Sequence, residues 1–221
     1  MEHTAEILHT GFVTRDVMQL ITSRPPGVDY EPGQGVEIAL DLDGWREEGR
    51  PFTPTGHPDG PVLEFTIKGY FGQDGVTERL HRSVPGTALL MSDSFGTITD
   101  RGPGTFIAGG AGVTPFLAIL RDRKRRGSLD GCSLLFSNKS PADVICEKEL
   151  SEMLGDRCHL TCTQGSGPSY DHRRIDGAYL GENVEDLDRP LYVCGPPSFV
   201  EDVSEALREL GAKDENIVVE E

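Results

Sequence analysis

Four short runs carry residue types suited to holding a flat, phosphorylated ligand. In Arg50-Pro51-Phe52-Thr53 the guanidinium offers a planar fork of donors to phosphate oxygens. The phenyl ring next to it offers a stacking face, and the hydroxyl can bond a ring nitrogen. Gly75-Val76-Thr77 opens a helical pattern, where free N–H groups and a hydroxyl attract an anion. Both runs also fit plain roles, a strand end with a surface arginine and an ordinary helix start. The third run takes apolar Phe106, Ile107 and Ala108 into Gly109-Gly110-Ala111-Gly112, then into a helical pattern with Thr114 and Pro115 in its first turn. Glycine allows positive φ and close ligand approach, and proline near a helix start forfeits no hydrogen bond. The spacing is not the dinucleotide fingerprint G-x-G-x-x-G, and a strand-to-helix turn without a ligand is the competing reading. The fourth run, Cys194-Gly195-Pro196-Pro197, leaves a short buried strand at its carboxyl end, where open parallel sheets bind ligands. Its thiol either touches a bound ring or serves as a small core residue.

The elements that must position these runs change character near residues 100–104. Before that point, apolar or alternating segments at 7–13, 17–21, 35–42, 62–68 and 88–91 are divided by Gly/Pro turns, with one short helix over 75–82. That rhythm predicts an antiparallel barrel or sandwich. After it, strands at 106–108, 132–137, 159–163, 191–194 and 217–219 alternate with helices over 115–126, 142–154 and 198–210. Alternation of this kind predicts right-handed crossovers and a parallel sheet covered on both faces. The reading is therefore two domains, 1–101 antiparallel β and 102–221 α/β.

Composition excludes several functions. A net charge of −16 and a pI near 4.7 oppose binding to nucleic acid or anionic membranes. The basic run Arg121 to Arg126 reads as a solvated helix end. No apolar run reaches the roughly 20 residues of a membrane span, and no basic-then-apolar leader opens the chain, so a cytoplasmic, non-inserted protein is expected. Five scattered cysteines suit reduced thiols and supply neither a zinc nor an iron–sulfur site.

Taken in order, the four runs resemble the ferredoxin–NADP reductase superfamily, in particular small bacterial flavodoxin/ferredoxin reductase-like and cytochrome b5 reductase-like flavoproteins. Arg50-Pro51-Phe52-Thr53 matches that family's Arg, any residue, Tyr or Phe, Ser or Thr motif. The resemblance implies a six-stranded antiparallel barrel binding FAD in preference to FMN, joined to a Rossmann-like domain binding NADPH or NADH, with the flavin ring in the cleft between them. It assigns Arg50, Gly75, Val76 and Thr77 to the flavin pyrophosphate, and Pro51, Phe52 and Thr53 to the isoalloxazine, Thr53 near N5. Gly109, Gly110, Gly112, Thr114, Pro115, Gly195 and Pro196 go to the nicotinamide nucleotide, with Cys194 beside the nicotinamide. Thr53, Thr114 and Cys194 stand nearest the hydride-transfer chemistry.

The activity implied is hydride transfer from NAD(P)H to flavin N5, with electrons passed to a redox protein or small acceptor. The alternative is an electron-transfer or regulatory subunit active only inside a larger assembly. A non-redox nucleotide-binding module is a third reading. The chain ends in Glu221 without the terminal aromatic that covers the flavin in some relatives, which leaves that face either open or covered by another group. Lys139 can meet a 2′-phosphate while nearby Asp143 opposes one, so NADH and NADPH both stay open, as do the acceptor and the oligomeric state.

Overall fold

The structure, a computed structural model, describes residues 1–96, 98–165 and 170–220. The chain divides into two units, Met1–Thr97 and Ile98–Glu221. The division precedes residues 101/102 because Asp100 is hydrogen-bonded to Arg123, and Arg101 donates its N–H to the Tyr192 hydroxyl at 2.9 Å.

Period-two patterning in the first unit becomes six strands: β1 (His3–Phe12), β2 (Val17–Ser23), β3 (Val36–Leu40), β4 (Arg50–Phe52), β5 (Val62–Lys68) and β6 (Ala88–Met91). They pair antiparallel in the order β4-β3-β6-β1-β2-β5. Just past β4, Pro54 bridges Phe65, and the Thr55 N–H donates to the Glu64 carbonyl at 2.7 Å. The two edges thus meet and the sheet closes into the expected barrel, which removes exposed edge strands. Helix α1 (Val76–Arg82) drives Val76 and Leu80 into the same core as Leu20, Ile38 and Phe65.

The second unit carries β7 (Thr105–Gly109), β8 (Ser133–Asn138), β9 (Cys158–Cys162), β10 (Leu191–Cys194) and β11 (Ile217–Val219), all parallel, in the order β11-β10-β7-β8-β9. Helices α2 (Val113–Arg125), α3 (Glu147–Leu154), α4 (Gly177–Asn183) and α5 (Pro197–Glu209) complete it. At its centre the Phe106 and Tyr192 rings stack across the β7–β10 register, centroids 4.3 Å apart. The Tyr192 hydroxyl also donates to the Gly102 carbonyl at 2.8 Å, so this buried tyrosine is satisfied at its polar end, and burial pushes its pKa up to about 12.

Three expectations need correction. The helix expected over 142–154 is broken: Pro141–Asp143 forms a single 3-10 turn, Cys146 takes a left-handed conformation at φ 52°, and only then does α3 begin. Helix α4 went unpredicted, although Asp176 caps it by accepting the Tyr179 N–H at 2.9 Å. The basic run is not simply solvated. Arg121 clamps Glu149 with two bonds of 2.7 and 2.8 Å, Arg125 and Arg126 pair with buried Asp122, and Arg123 is itself buried against Asp100.

Candidate functional site

In the barrel unit, β4 pairs with β3, and α1 packs on β3 as well, so both candidate phosphate runs belong to one end of the sheet. Arg50 is exposed, donating to its neighbour's carbonyl at Gly49 (2.6 Å) and lying 3.7 Å from Glu48. Most of its donor fork is therefore free for a ligand. Phe52 and Thr53 are half-buried, and Phe52 packs its inner side on the core. A Cβ at Gly75 would meet nothing within 4 Å, so the backbone there lies open. The first-turn N–H groups of α1 have no intrahelical partner. Val76 is buried as a core plug, which leaves only its backbone to serve an anion.

Glu78 organises this loop and was missed in the sequence. Its buried carboxylate accepts the N–H groups of Gly72 (2.9 Å) and Asp74 (3.1 Å) and pairs with Arg82. A Glu three residues past the helix-start glycine is the signal that was available. Thr77 accepts the Tyr70 N–H at 3.3 Å, and Tyr70 and Phe71 beside it are exposed aromatic rings, also missed. Arg79 pairs with Asp74 at 2.8 Å and lies over the Trp45 ring at 3.9 Å. Donors, hydroxyl and open aromatic faces together fit a phosphorylated, planar group.

In the α/β unit, β8 lies on one side of β7 and β10 on the other, which makes the carboxyl ends of β7 and β10 the topological switch point where such sheets bind ligands. The two loops emerging there interlock through glycines. A Cβ on Gly112 would sit 2.5 Å from the Cys194 carbonyl carbon and 2.6 Å from Gly195 N. One on Gly195 would meet Phe199 at 2.8 Å, and one on Gly109 would meet Phe199 at 3.1 Å and Pro196 at 3.2 Å. Gly110 differs, with φ +54° and open space around it. Of the expected nucleotide residues, Gly109, Gly112 and Pro115 are buried, whereas Gly110, Thr114, Gly195 and Pro196 are accessible. Gly109 and Gly112 thus serve packing, and Gly110 is the loop glycine with an open face. The Thr114 hydroxyl donates to the Ala111 carbonyl at 3.0 Å, which leaves its lone pairs available.

Cys194 is buried, and its thiol points to Glu220 Oε2 at 3.8 Å. Burial and this carboxylate push its pKa up to about 12, so the thiol stays protonated at neutral pH. Glu220 was not singled out from sequence because only the β10–β11 pairing brings the chain's end to this point. The neighbouring Glu221 lies outside the described residues.

A barrel with an arginine–aromatic–threonine edge and a parallel sheet with glycine loops at its switch point define a pyridine-nucleotide-dependent flavoprotein reductase. Comparisons with known proteins agree. Residues 106–205 match the model for the oxidoreductase NAD-binding domain. Ferredoxin–NADP reductase B of Sorangium cellulosum is 32% identical over 213 residues, spanning 86% of this chain and 84% of that one. The ferredoxin–NAD(P)(+) reductase component of a naphthalene 1,2-dioxygenase system from Pseudomonas putida is 28% identical, and this chain spans 64% of its length. A Neisseria gonorrhoeae ferredoxin NADP+ reductase solved with bound FAD and NADP has the same fold, with a TM-score of 0.82 at 21% identity over 97% of this chain and 96% of that one. The chain belongs to the ferredoxin–NADP reductase family. It is an NAD(P)H-dependent oxidoreductase, and among the described residues no helix is long and apolar enough to cross a membrane.

Proposed function

We propose that the chain delivers electrons from a reduced nicotinamide nucleotide to a redox protein or small acceptor, with each unit holding one cofactor. The observation that carries this reading is the pair of glycine-locked loops at the β7–β10 switch point, with an open Gly110 face and a protonated thiol beside them. FAD, when bound, supplies the redox chemistry by accepting hydride at N5 and releasing electrons to an acceptor. The protein's own work is to bind and orient. Arg50, with the backbone of Gly75, Val76 and Thr77, would hold the pyrophosphate; Phe52 would support the ring; Thr53 would offer the ring a hydroxyl. Gly110, Gly195 and Pro196 give the nucleotide a close backbone approach, with Thr114 accepting a hydrogen bond from it. Cys194 keeps its proton on Sγ, with Glu220 as the carboxylate behind it.

No general acid or base is needed for hydride transfer itself, so positioning carries most of the rate. Anaerobic titration with NADH and NADPH, followed on the flavin spectrum, tests the reading. Bleaching of the flavin absorbance is expected, and a protein that binds neither FAD nor FMN on reconstitution would falsify it.

A second reading, a component working only with its partner, is favoured by the names of several relatives. They are reductase components of naphthalene dioxygenase, alkene monooxygenase and propane monooxygenase systems, of which this chain spans 64%, 64% and 59%. Rapid turnover of artificial acceptors by the isolated monomer would count against it.

A further inference from the structure

The two runs offered to a flavin pyrophosphate, Arg50 and Gly75-Val76-Thr77, stand on different elements, and something must fix their separation. Arg50 is held by the sheet, where β4 pairs with β3 and Ile38 lies opposite Arg50. The second run has no strand ladder to hold it. Residues 70–74 are exposed, and α1 has seven residues, whereas an isolated helix shorter than roughly 12 residues is marginal in water. Val76 and Leu80 enter the core and set the depth of the helix. Apolar burial is non-directional, so the roll of the helix and the course of the loop before it depend on other contacts.

Those contacts converge on Arg79. Its guanidinium carbon lies 3.9 Å from the centroid of the Trp45 ring, and its Nη2 donates to Asp74 Oδ2 at 2.8 Å. Trp45 belongs to the loop that joins β3 to β4. Residues 42–44 and 46–48 are exposed, whereas Trp45 packs on the barrel core. Its backbone is fastened as well: the Trp45 N–H donates to the Leu42 carbonyl at 2.9 Å, and the Glu48 N–H to the Trp45 carbonyl at 3.2 Å. At the other end, Asp74 takes a left-handed backbone at φ 47° immediately before Gly75, and Glu78 accepts its N–H at 3.1 Å. One planar cation therefore touches both the loop that leads into Arg50 and the residue that leads into Gly75. Arg79 Nε is buried with no hydrogen-bond partner among the described residues. The guanidinium is thus oriented by the ring and the carboxylate rather than by the filling of every donor.

We infer that Arg79, stacked on Trp45 and bonded to Asp74, is a positioning residue that holds the two pyrophosphate-binding runs at their working separation. It acts through those two neighbours and not on the ligand. A lysine cannot take its place, because a compact ammonium lacks the plane that stacks and the fork that reaches Asp74 at the same time. The inference rests on the reading that the barrel unit binds FAD through these runs.

Equilibrium dialysis of the flavin-stripped whole protein against FAD, and against riboflavin, which lacks the phosphates, tests it without turnover. Trp45→Ala and Arg79→Gln should each weaken FAD binding about tenfold and riboflavin binding by less than about threefold, since displaced groups lose the contacts they were set to make. The double variant should also lose about tenfold and not about a hundredfold, because the pair acts as one unit. Trp45→Phe, which keeps an aromatic face, should stay within about threefold of the unaltered protein, while Arg79→Lys should behave as Arg79→Gln does. Unchanged FAD affinity in a folded Arg79→Gln protein overturns the inference, as do equal losses of FAD and riboflavin or additive losses in the double variant. Melting curves of the flavin-free proteins show which variants are folded. Should a truncation fail to fold, Trp45→Phe and Arg79→Lys decide, and equal FAD affinity in those two overturns the inference. Failure of the unaltered protein to bind FAD overturns the flavin reading itself.

Discussion

Gly112 and Cys194 meet backbone to backbone, so close that a β-carbon on the glycine would lie 2.5 Å from the cysteine's carbonyl carbon. The contact fixes the loop after β7 to the loop after β10, and neither backbone can retreat without disturbing the central pair of strands. Gly112→Ala should therefore cost about 1–3 kcal/mol by overpacking and weaken nucleotide binding with it. Gly110→Asn, in open space at φ +54°, should cost less than about 1 kcal/mol, since asparagine tolerates the left-handed region. Thermal melting of the two variants separates them.

The raised thiol pKa of Cys194 makes stability depend on pH. Its ordinary value is 9.0 and the folded value is about 12, so the folded chain keeps a proton that the unfolded chain releases between those limits. Its contribution is complete below pH 9 and is lost as pH rises through that window, at no more than about 1.4 kcal/mol per pH unit for one proton. Cys158, pushed up to about 11, and Tyr192, pushed up to about 12, act in the same direction. Urea midpoints between pH 8 and pH 11 should fall, and fall less steeply in Cys194→Ala. Glu220→Gln should lower the thiol pKa and speed alkylation of Cys194 by iodoacetamide.

Arg50 and Glu78 separate binding from support. Arg50 is more than half exposed with few internal bonds, so Arg50→Ala should leave the melting temperature nearly unchanged and weaken flavin retention roughly ten- to a hundredfold, the loss of one or two charge-assisted bonds. Arg50→Lys should rescue only part, because an ammonium lacks the planar fork. Glu78→Gln should weaken retention and also lower stability, since two backbone N–H groups and Arg82 lose their anion. Gel filtration with flavin absorbance, read beside melting curves, distinguishes the two patterns.

Arg123 and Lys124 are neighbours in the basic run with opposite fates. Arg123 is buried against Asp100, whereas Lys124 is exposed. Asp100→Asn or Arg123→Ala should destabilise by about 3–5 kcal/mol, because one partner is left buried and unpaired. Lys124→Ala should stay within about 0.5 kcal/mol. Urea unfolding measures both.

The architecture was readable because its signals are periodic and local. Val36, Ile38 and Leu40 alternate as one face of a strand needs, and Thr105–Gly109 runs apolar into glycine as a central parallel strand does. What stayed hidden depends on contacts between distant segments. Glu220 is 26 residues from Cys194 and reaches it only through β11. The packing role of Gly112 was hidden because sequence reports the missing side chain and not the neighbour that forbids it. Arg123 looked solvated because its partner, Asp100, precedes the strand on the far side of the glycine loop. Cys146 ended a helical pattern without glycine or proline, so nothing in the local residue types marked the break.

Trp45 is the single tryptophan of the chain, and its ring carries the Arg79 guanidinium of α1. Indole fluorescence is therefore a native reporter seated in the barrel unit. Circular dichroism, by contrast, draws its helical signal mainly from α2 to α5. Followed together during unfolding, the two signals reveal, with no added label, whether the units melt as one cooperative body or in succession.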